Sequence, residues 1–274
     1  MLILVTTPIG NLGDMPPRGV ETMQAADVVL CEDTRVTRKL TTRFGIDTRL
    51  IPLHDHNEDQ MIDGILKRLS EGQTVALVSD AGMPLISDPG YRLVRAVIAA
   101  GLDVSGVPGA NAALMALQLS GLPTDRFLFT GFAPSKTVGR QKWLAEVADT
   151  PASLIFFESP NRLVASLSDM LAVFGNRPAS VSRELTKQFE ETRRGSLGDL
   201  LAHYEQAGAP KGEICICVGG PLPPEPTTEA DLDAAILSAL KTQTVKSAAT
   251  DVAQALNLPK RDVYQRAITL QKGE

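Results

Sequence analysis

The sequence predicts an α/β protein built from two α/β domains, a proline-rich linker and a small helical tail. Three observations carry this reading. Residues 1–120 alternate short apolar runs with amphipathic segments, the pattern of parallel strands crossed by helices. Gly121-Leu122-Pro123-Thr124 breaks that alternation, and a second set of strand signals runs on to residue 220. Residues 221–227 read as a stiff linker, since the stretch from Gly219 to Pro226 holds four prolines and two glycines. From 228 to 274 the pattern is helical throughout.

Each element has its own signal. Residues 2–6 (Leu-Ile-Leu-Val-Thr) form a first strand. Pro16-Pro17 opens a helix, because proline is tolerated in the first turn. Residues 28–31 are a second strand, residues 34–44 a helix, and Gly45 its stop. Asn57 is placed to cap a helix to about Glu71, with Met61, Ile62, Ile65, Leu66 and Leu69 on one face. Gly72 ends it, and a strand over 75–78 follows. Residues 91–100 are helical, 104–107 a strand, and Asn111 caps a helix through Gln118.

In the second half, strands are predicted over 127–130, 153–157, 179–182 and 214–218. Leu163, Val164, Leu167, Met170, Leu171 and Phe174 mark a helix. In the tail, Leu232, Ile236, Leu237 and Leu240 form one stripe. Residues 248–256, the turn Asn257-Leu258-Pro259 and residues 260–270 then have helix-turn-helix spacing. That spacing serves either nucleic-acid contact or a small packing bundle.

Composition narrows the function. The 274 residues are 43% hydrophobic and 22% charged, an ordinary soluble globular balance. A net charge of −5 excludes a uniformly basic nucleic-acid coat but leaves room for local patches. No apolar run approaches membrane length. The first strand starts at residue 2, which leaves no space for a signal peptide. Three cysteines cannot all pair, and Cys215 and Cys217 share a strand pattern. Buried reduced thiols and a cytoplasmic location are expected.

Three strand ends are unusual. The first runs into Thr7-Pro8-Ile9-Gly10-Asn11-Leu12-Gly13-Asp14. The strand ending at Val78 runs into Ser-Asp-Ala-Gly-Met-Pro-Leu-Ile-Ser-Asp-Pro-Gly over 79–90, and the next into Pro108-Gly109-Ala110-Asn111. Long loops rich in Gly, Pro and Asx are often functional. Open α/β sheets bind ligands at their carboxyl edge, so the three loops suggest one cleft. G-x-G-x-x-G and Walker A patterns are both missing after the first strand, which argues against dinucleotide binding and phosphoryl transfer.

Two further constellations hold residue types that carry chemistry. His54-Asp55-His56 has metal-type residues but reads better as a loop hydrogen-bond cluster, and no metal is expected. Ser-His-Asp hydrolysis lacks its G-x-S-x-G elbow. Arg35, Lys39 and Arg43 share one helix face, with Arg38 beside them. They form either a phosphate-contacting patch or a solvated face. Lys136, Arg140 and Lys142 make a second, looser group, and Arg193-Arg194 a third. Only 4% of residues are aromatic, so broad stacking on single-stranded RNA is not expected.

The ordered set of motifs resembles a known family. It comprises residues 7–14, Glu32-Asp33-Thr34-Arg35, His54-Asp55-His56-Asn57-Glu58 and 79–90. Glu158-Ser159, Arg183-Glu184-Leu185-Thr186-Lys187 and Lys211-Gly212-Glu213 continue it. Together they resemble the ribosomal RNA small subunit methyltransferase I family, of the tetrapyrrole-methylase fold class, over about residues 1–220 with a family-like helical tail. The resemblance implies S-adenosylmethionine-dependent 2′-O-methylation of a cytidine ribose in small-subunit ribosomal RNA, within the 30S subunit. It also implies a cofactor cleft between the two α/β domains, and a homodimer. Small-molecule tetrapyrrole methylation is the alternative within the fold, and a non-catalytic nucleic-acid-binding protein the alternative outside it.

Carried onto this sequence, the resemblance places cofactor near Pro8, Asp80, Ala81, Gly82, Met83, Pro84, Ser87, Pro108 and Gly109. Asp80 is read as a ligand contact, against a turn-capping carboxylate. Met83 stands where a small threonine is expected. Transfer to a ribose hydroxyl calls for a base. Asp14 is one candidate by loop placement, against an N-cap role for the following helix. Glu184 and Lys187 are rivals, and no sequence feature decides among the three. Arg35, Arg38, Lys39 and Arg43 are the RNA candidates.

Overall fold

Apolar runs rich in Val, Ile and Leu build an all-parallel, five-stranded sheet in the first half of the chain. Its strands are β1 (Leu2–Val5), β2 (Val28–Cys31), β3 (Leu50–Pro52), β4 (Val75–Leu77) and β5 (Val104–Val107), in the order β3-β2-β4-β1-β5. Parallel neighbours need crossovers. Helices α1 (Pro17–Ala25), α2 (Thr34–Phe44), α3 (Glu58–Ser70) and α4 (Tyr91–Ala99) provide them. One face of the sheet buries Val5, Val29, Ala76 and Val107 with Met23 of α1 and Leu40 of α2. The other buries Leu2, Leu30, Val75 and Leu77 under Ile65, Leu69, Leu93 and Val97 of α3 and α4. This is a computed structural model, and it describes residues 1–222, 228–256 and 258–272. The chain divides into two units, Met1–Leu222 and Pro223–Glu274.

Local chemistry sets the helix ends. Asp33 accepts the Arg35 N–H at 2.8 Å to start α2, and Gly45 ends it in the left-handed region. Pro17 sits at the first position of α1. Asn57 precedes α3 but does not cap it. Its Oδ1 accepts the His54 N–H at 2.8 Å and its Nδ2 donates to Pro52 O at 3.1 Å, so it closes the turn after β3. Strand β3 itself has no forecast in the sequence, because it is three residues long and ends on proline.

The second sheet is mixed. It contains β6 (Phe127–Phe132), β7 (Ser153–Glu158), β8 (Pro178–Arg183), β9 (Glu191–Ser196) and β10 (Ile214–Val218), ordered β6-β7-β10-β8-β9. Only β6 and β7 pair in parallel. Four helices accompany it: α5 (Ala112–Ser120), α6 (Thr137–Ala145), α7 (Leu163–Phe174) and α8 (Leu197–Ala207). Helices α6, α7 and α8 cover one face, around Phe156 and Ile216. Helix α5 covers the other, setting Ala113, Ala116 and Leu117 against Ile155, Cys215 and Cys217. Thus α5 packs on the second sheet, although it precedes the break at Gly121. Strand β9 was hidden in the sequence because Glu-Thr-Arg-Arg-Gly-Ser is a polar edge strand without apolar alternation.

In two of the basic groups read from sequence, arginines bond within the protein. Arg140 is only 2% exposed; its Nε donates to Asp169 Oδ2 at 2.6 Å and its Nη1 to Ser135 O at 3.2 Å. Arg140 therefore ties α6 to α7 and joins no patch with Lys136 and Lys142. Arg193 pairs with Glu191 at 3.0 Å, and Arg194 Nε donates to Leu119 O at 2.7 Å.

The second unit holds α9 (Glu229–Leu240), α10 (Val245–Ala255) and α11 (Lys260–Lys272). Thr228 and Asp231 cap α9 reciprocally. Ile236, Ala249, Val252, Val263 and Ala267 form its core, and Arg266 forks onto Asp233 at 2.6 Å. Leu237 lies off the predicted stripe, 46% exposed. Residues 223–227 of the linker and Asn257 of the turn lie outside the described residues. No described helix is long and apolar enough to cross a membrane.

Removing one partner of a buried ion pair strands the other charge, at a cost of about 3–5 kcal/mol. Asp169→Ala should lower the unfolding free energy by that order in urea titrations, which report on the first unit if each transition is followed separately. A loss below about 1 kcal/mol would mean that α6 and α7 are held by their apolar contacts alone.

Candidate functional site

In the strand order β4-β1-β5, the three unusual loops leave adjacent strands at one carboxyl edge. They are fastened together. Thr7 N–H donates to Gly82 O at 2.8 Å and Gly82 N–H returns to Thr7 O at 3.1 Å. Thr7 Oγ1 donates to Ser79 O at 3.2 Å. Gly82 has φ +81°, and a Cβ on it would stand 3.1 Å from Ile9 Cγ2. Both facts call for glycine there.

A second loop, 184–187, faces the first. It follows β8 and is tied across. Asn11 N–H donates to Thr186 Oγ1 at 3.1 Å, and a Cβ on Gly10 would lie 2.5 Å from Lys187 Cγ. Lys187 Nζ bonds Glu184 Oε1 at 3.0 Å and Glu213 Oε2 at 3.3 Å. Among the described residues, the non-glycine positions with positive φ are Leu85, Ser87, Glu184 and Thr186. All four lie on these two loops. Such strain persists only where the surroundings over-determine it, and it clusters at functional sites.

Between the loops lies a cleft of about 580 Å³. The first half contributes Ile9, Asp80, Ala81, Ser87 and Asp88. The second contributes Phe132, Phe157, Glu158, Leu185 and Lys187, with residues 212–215. Both sides mix apolar and charged groups: Ile9 with Asp80 and Asp88 on one, and the two phenylalanines with Glu158, Lys187 and Glu213 on the other.

The charges are not independent. Burial pushes Asp88 up to about 6, and the neighbouring charges of Glu32 and Asp80 add to this against the Ser79 hydroxyl. Burial also raises Glu32, with Asp80 and Asp55 contributing. Hydrogen bonds from Arg35 hold Asp33 down at about 2. Burial alone would lower Lys187, but its bond to Glu184 and the charge of Glu213 outweigh it, and its pKa is raised. Lys187 is therefore a held ammonium, suited to clamping the loop and unsuited to accepting a proton.

The sequence candidates separate into groups. Asp80, Ala81 and Ser87 line the cleft. Pro8, Gly82 and Pro84 are buried behind it, and Met83 Sδ takes a contact from Asn111 Nδ2 at 3.9 Å, beside the start of α5. Pro108 and Gly109 are exposed at the end of β5. Asp14 is exposed in a short turn over Leu12–Asp14; it is not among the lining residues, and Pro16 takes the cap position of α1. Glu184 is committed to Lys187.

Arg35, Arg38 and Lys39 line a shallow groove on α2 with Thr34 and Thr42, and Arg43 is exposed one turn on. Arg35 also forks onto Asp33. The groove adjoins the cleft edge, because Asp33 N–H donates to Asp80 Oδ1 at 3.1 Å. His54 and His56 lie edge to face, with ring centroids 6.0 Å apart. The adjacent Glu58 is structural: it accepts the Leu93 N–H at 2.8 Å and pairs with Arg92. Among the described residues, no three His, Cys, Asp or Glu side chains are grouped to hold a metal.

Asp88, Phe132 and Phe157 were not singled out from sequence as site residues. Asp88 stood in the quoted 79–90 motif without a role. The two phenylalanines read as strand residues, and only the docking of the two halves turns them into a wall.

Comparison with known proteins agrees with this architecture. The family model described as Tetrapyrrole (Corrin/Porphyrin) Methylases matches residues 1–201, and that described as RsmI C-terminal HTH domain matches 226–271. Ribosomal RNA small subunit methyltransferase I of Mesorhizobium japonicum is 48% identical, over 98% of this chain and 92% of its own. The protein of that name from Escherichia coli O157:H7 is 43% identical, over 98% and 95%. Among solved structures, the methyltransferase CobJ shares the fold at a TM-score of 0.59 and 18% identity, covering 80% of this chain and 93% of its own. Uroporphyrin-III-C-methyltransferase from Thermus thermophilus does so at 0.56 and 20%, with the same coverage. On the near-full-length relatives and both family models, the chain belongs to the ribosomal RNA small subunit methyltransferase I family.

Proposed function

We propose that the protein transfers a methyl group from S-adenosylmethionine to the 2′-hydroxyl of a cytidine ribose in small-subunit ribosomal RNA. The observation that carries this reading is the cleft between two strained loops, lined by apolar side chains and carboxylates together. Its volume of about 580 Å³ suits a cofactor-sized ligand. Ile9, Phe132, Phe157 and Leu185 offer an apolar slot for a purine. Asp80 offers negative charge to a sulfonium or an α-amino group. Ala81 lines the cleft, and Gly82 behind it lets the loop close against Ile9, since glycine has no Cβ to stand in the way. When bound, this cofactor supplies an electrophilic methyl on a positively charged sulfur.

The target ribose would enter the cleft, while the rest of the RNA would meet the protein outside it. The exposed cations of α2 lie at the same sheet edge, and the helical second unit offers a nucleic-acid-binding module. The division into domains 1–120 and 121–220 is kept as part of this proposal, with α5 bridging to the second sheet. Buried free thiols at Cys31, Cys215 and Cys217 are in keeping with a cytoplasmic enzyme. A homodimer is kept as part of this proposal, with the edge strand β6 and its exposed Phe127 as the surface offered.

The test is incorporation of labelled methyl from S-adenosylmethionine into 30S subunits, free ribosomal RNA and a precorrin-type tetrapyrrole. Label in the RNA, mapped to a ribose, is the expected result. Label only in the tetrapyrrole would replace this function with the small-molecule alternative.

Gly82→Val places a branched side chain at φ +81°, a conformation that costs about 1–3 kcal/mol. Calorimetry should show S-adenosylmethionine affinity reduced by about tenfold or more, with circular dichroism unchanged. Unchanged affinity in a folded variant would remove the 79–90 loop from the cofactor site.

The double substitution Arg38→Ala, Lys39→Ala should raise the KM for 30S subunits and leave S-adenosylmethionine affinity alone. Each phosphate contact removed lowers the log–log salt dependence of binding by about 0.7–0.9. Identical KM values across a salt series would assign α2 to the solvent.

A further inference from the structure

Strain in the 79–90 loop is concentrated around one carboxylate. Asp88 stands between Ser87, at φ +66°, and Pro89-Gly90, where Gly90 has φ +116°. A Cβ on Gly90 would lie 2.7 Å from Leu77 Cδ2, so the turn is seated on the end of β4 without slack. A left-handed serine, a proline with fixed φ and a left-handed glycine together immobilise the backbone that carries Asp88. Its half-buried carboxylate lines the cleft beside Asp80 and Ser87.

The competing carboxylates are already committed. Glu158 accepts the Ser159 N–H at 2.8 Å and pairs with Arg162 at 3.2 Å. Glu184 and Glu213 hold Lys187. Asp80 accepts the Asp33 N–H. Asp14 is not on the wall. Asp88 forms no ion pair with any described residue.

We propose that Asp88 is the catalytic base, the group that takes the proton from the RNA ribose hydroxyl during methyl transfer. The inference rests on the 2′-O-methylation reading above. The ribose oxygen forms its bond to the methyl carbon while the carbon–sulfur bond breaks and its electron pair goes to sulfur. The hydroxyl proton goes to Asp88. The products are a 2′-O-methyl ribose, a neutral thioether and a protonated carboxyl, which returns its proton to solvent.

The surroundings suit that task. Glu32 from the end of β2 and Asp80 from the same loop face Asp88, as does the Ser79 hydroxyl. The opposite wall carries the Glu158–Arg162 and Lys187–Glu184–Glu213 groups. Burial and the acidic neighbours raise Asp88 from 3.8 to about 6. A base of that strength is ionised at neutral pH yet holds a proton better than an ordinary carboxylate.

The experiment compares full-length wild type, Asp88→Asn and Asp88→Glu. Saturating 30S subunits and S-adenosylmethionine give kcat across pH, and calorimetry gives cofactor affinity. In Asp88→Asn, kcat should fall by about 10²-fold or more, with cofactor affinity within about threefold. Wild-type kcat should rise with pH along an acid limb that the asparagine variant loses. Asp88→Glu should keep part of the rate and an acid limb.

Melting temperature gives a readout independent of turnover. A carboxyl whose pKa is raised on folding weakens the fold progressively as pH climbs from its unfolded to its folded value. The melting temperature of Asp88→Asn relative to wild type should therefore increase between about pH 4 and pH 7. A kcat within threefold of wild type in Asp88→Asn would overturn the assignment. So would a fall in cofactor affinity matching the fall in rate, or a folded Asp88→Glu without an acid limb. Failure of wild type to label a ribose at any pH would overturn the 2′-O reading itself, and the base with it.

Discussion

The paired backbone bonds between Thr7 and Gly82 are the constraint on which the site depends. Parallel strands β1 and β4 end side by side, and their loops would otherwise part into solvent. Thr7 is buried, so its backbone groups need partners, and the loop after β4 is the neighbour that supplies them. Making both bonds forces Gly82 into the left-handed region against Ile9. From this clip the rest follows in sequence. Asp80 and Ala81 are turned to the cleft on one side. On the other, Gly10 and Asn11 are held where Thr186 and Lys187 can lock onto them. A single glycine thus fixes both the floor of the cleft and its attachment to the opposite wall.

Strain is then distributed deliberately. Leu85, Ser87, Glu184 and Thr186 each cost on the order of 1–3 kcal/mol in their left-handed conformations. The offset comes from two sheets that are covered on both faces, where residues such as Val29, Ala76, Phe156 and Ile216 are fully buried. The strained residues occupy the rims of these rigid layers. A rigid scaffold carrying over-determined loops meets the geometric demand of methyl transfer, which needs nucleophile, carbon and sulfur aligned.

Most of the scaffold was legible in the sequence because its physics is local. Apolar runs at 28–31 and 214–218, the left-handed stop at Gly45 and the Asn111 cap each act within a few residues. Long-range residues were opaque. Arg140 reads as a surface cation until Asp169, 29 positions away, is found beside it. Strand β9 is polar because it is an edge, and the sequence alone does not say which strand is the edge. The three strand-end loops announced a cleft, but its aromatic wall comes from Phe132 and Phe157, whose alternation says only that they belong to strands. Asp14 shows the same limit. Its position in the loop suggested a role, and only the fold shows that the loop turns it outward.

Electrostatic segregation explains how a chain of net charge −5 can serve a polyanion. Arg38, Lys39 and Arg43 are exposed on α2, whereas Glu32, Asp80 and Asp88 are half-buried at the sheet edge. Exposed charges act through water and are screened over about 8–10 Å at physiological salt. Partly buried charges are screened much less, so the carboxylates act strongly on what enters the cleft and weakly on what lies against the helix. A cationic cofactor and an anionic RNA can therefore be attracted to neighbouring surfaces of one sheet edge without competing. The mutual repulsion of Glu32, Asp80 and Asp88 is the cost of this arrangement. In the proposed reaction a bound sulfonium would relieve it, coupling cofactor occupancy to the charge state of the wall that the RNA ribose would approach.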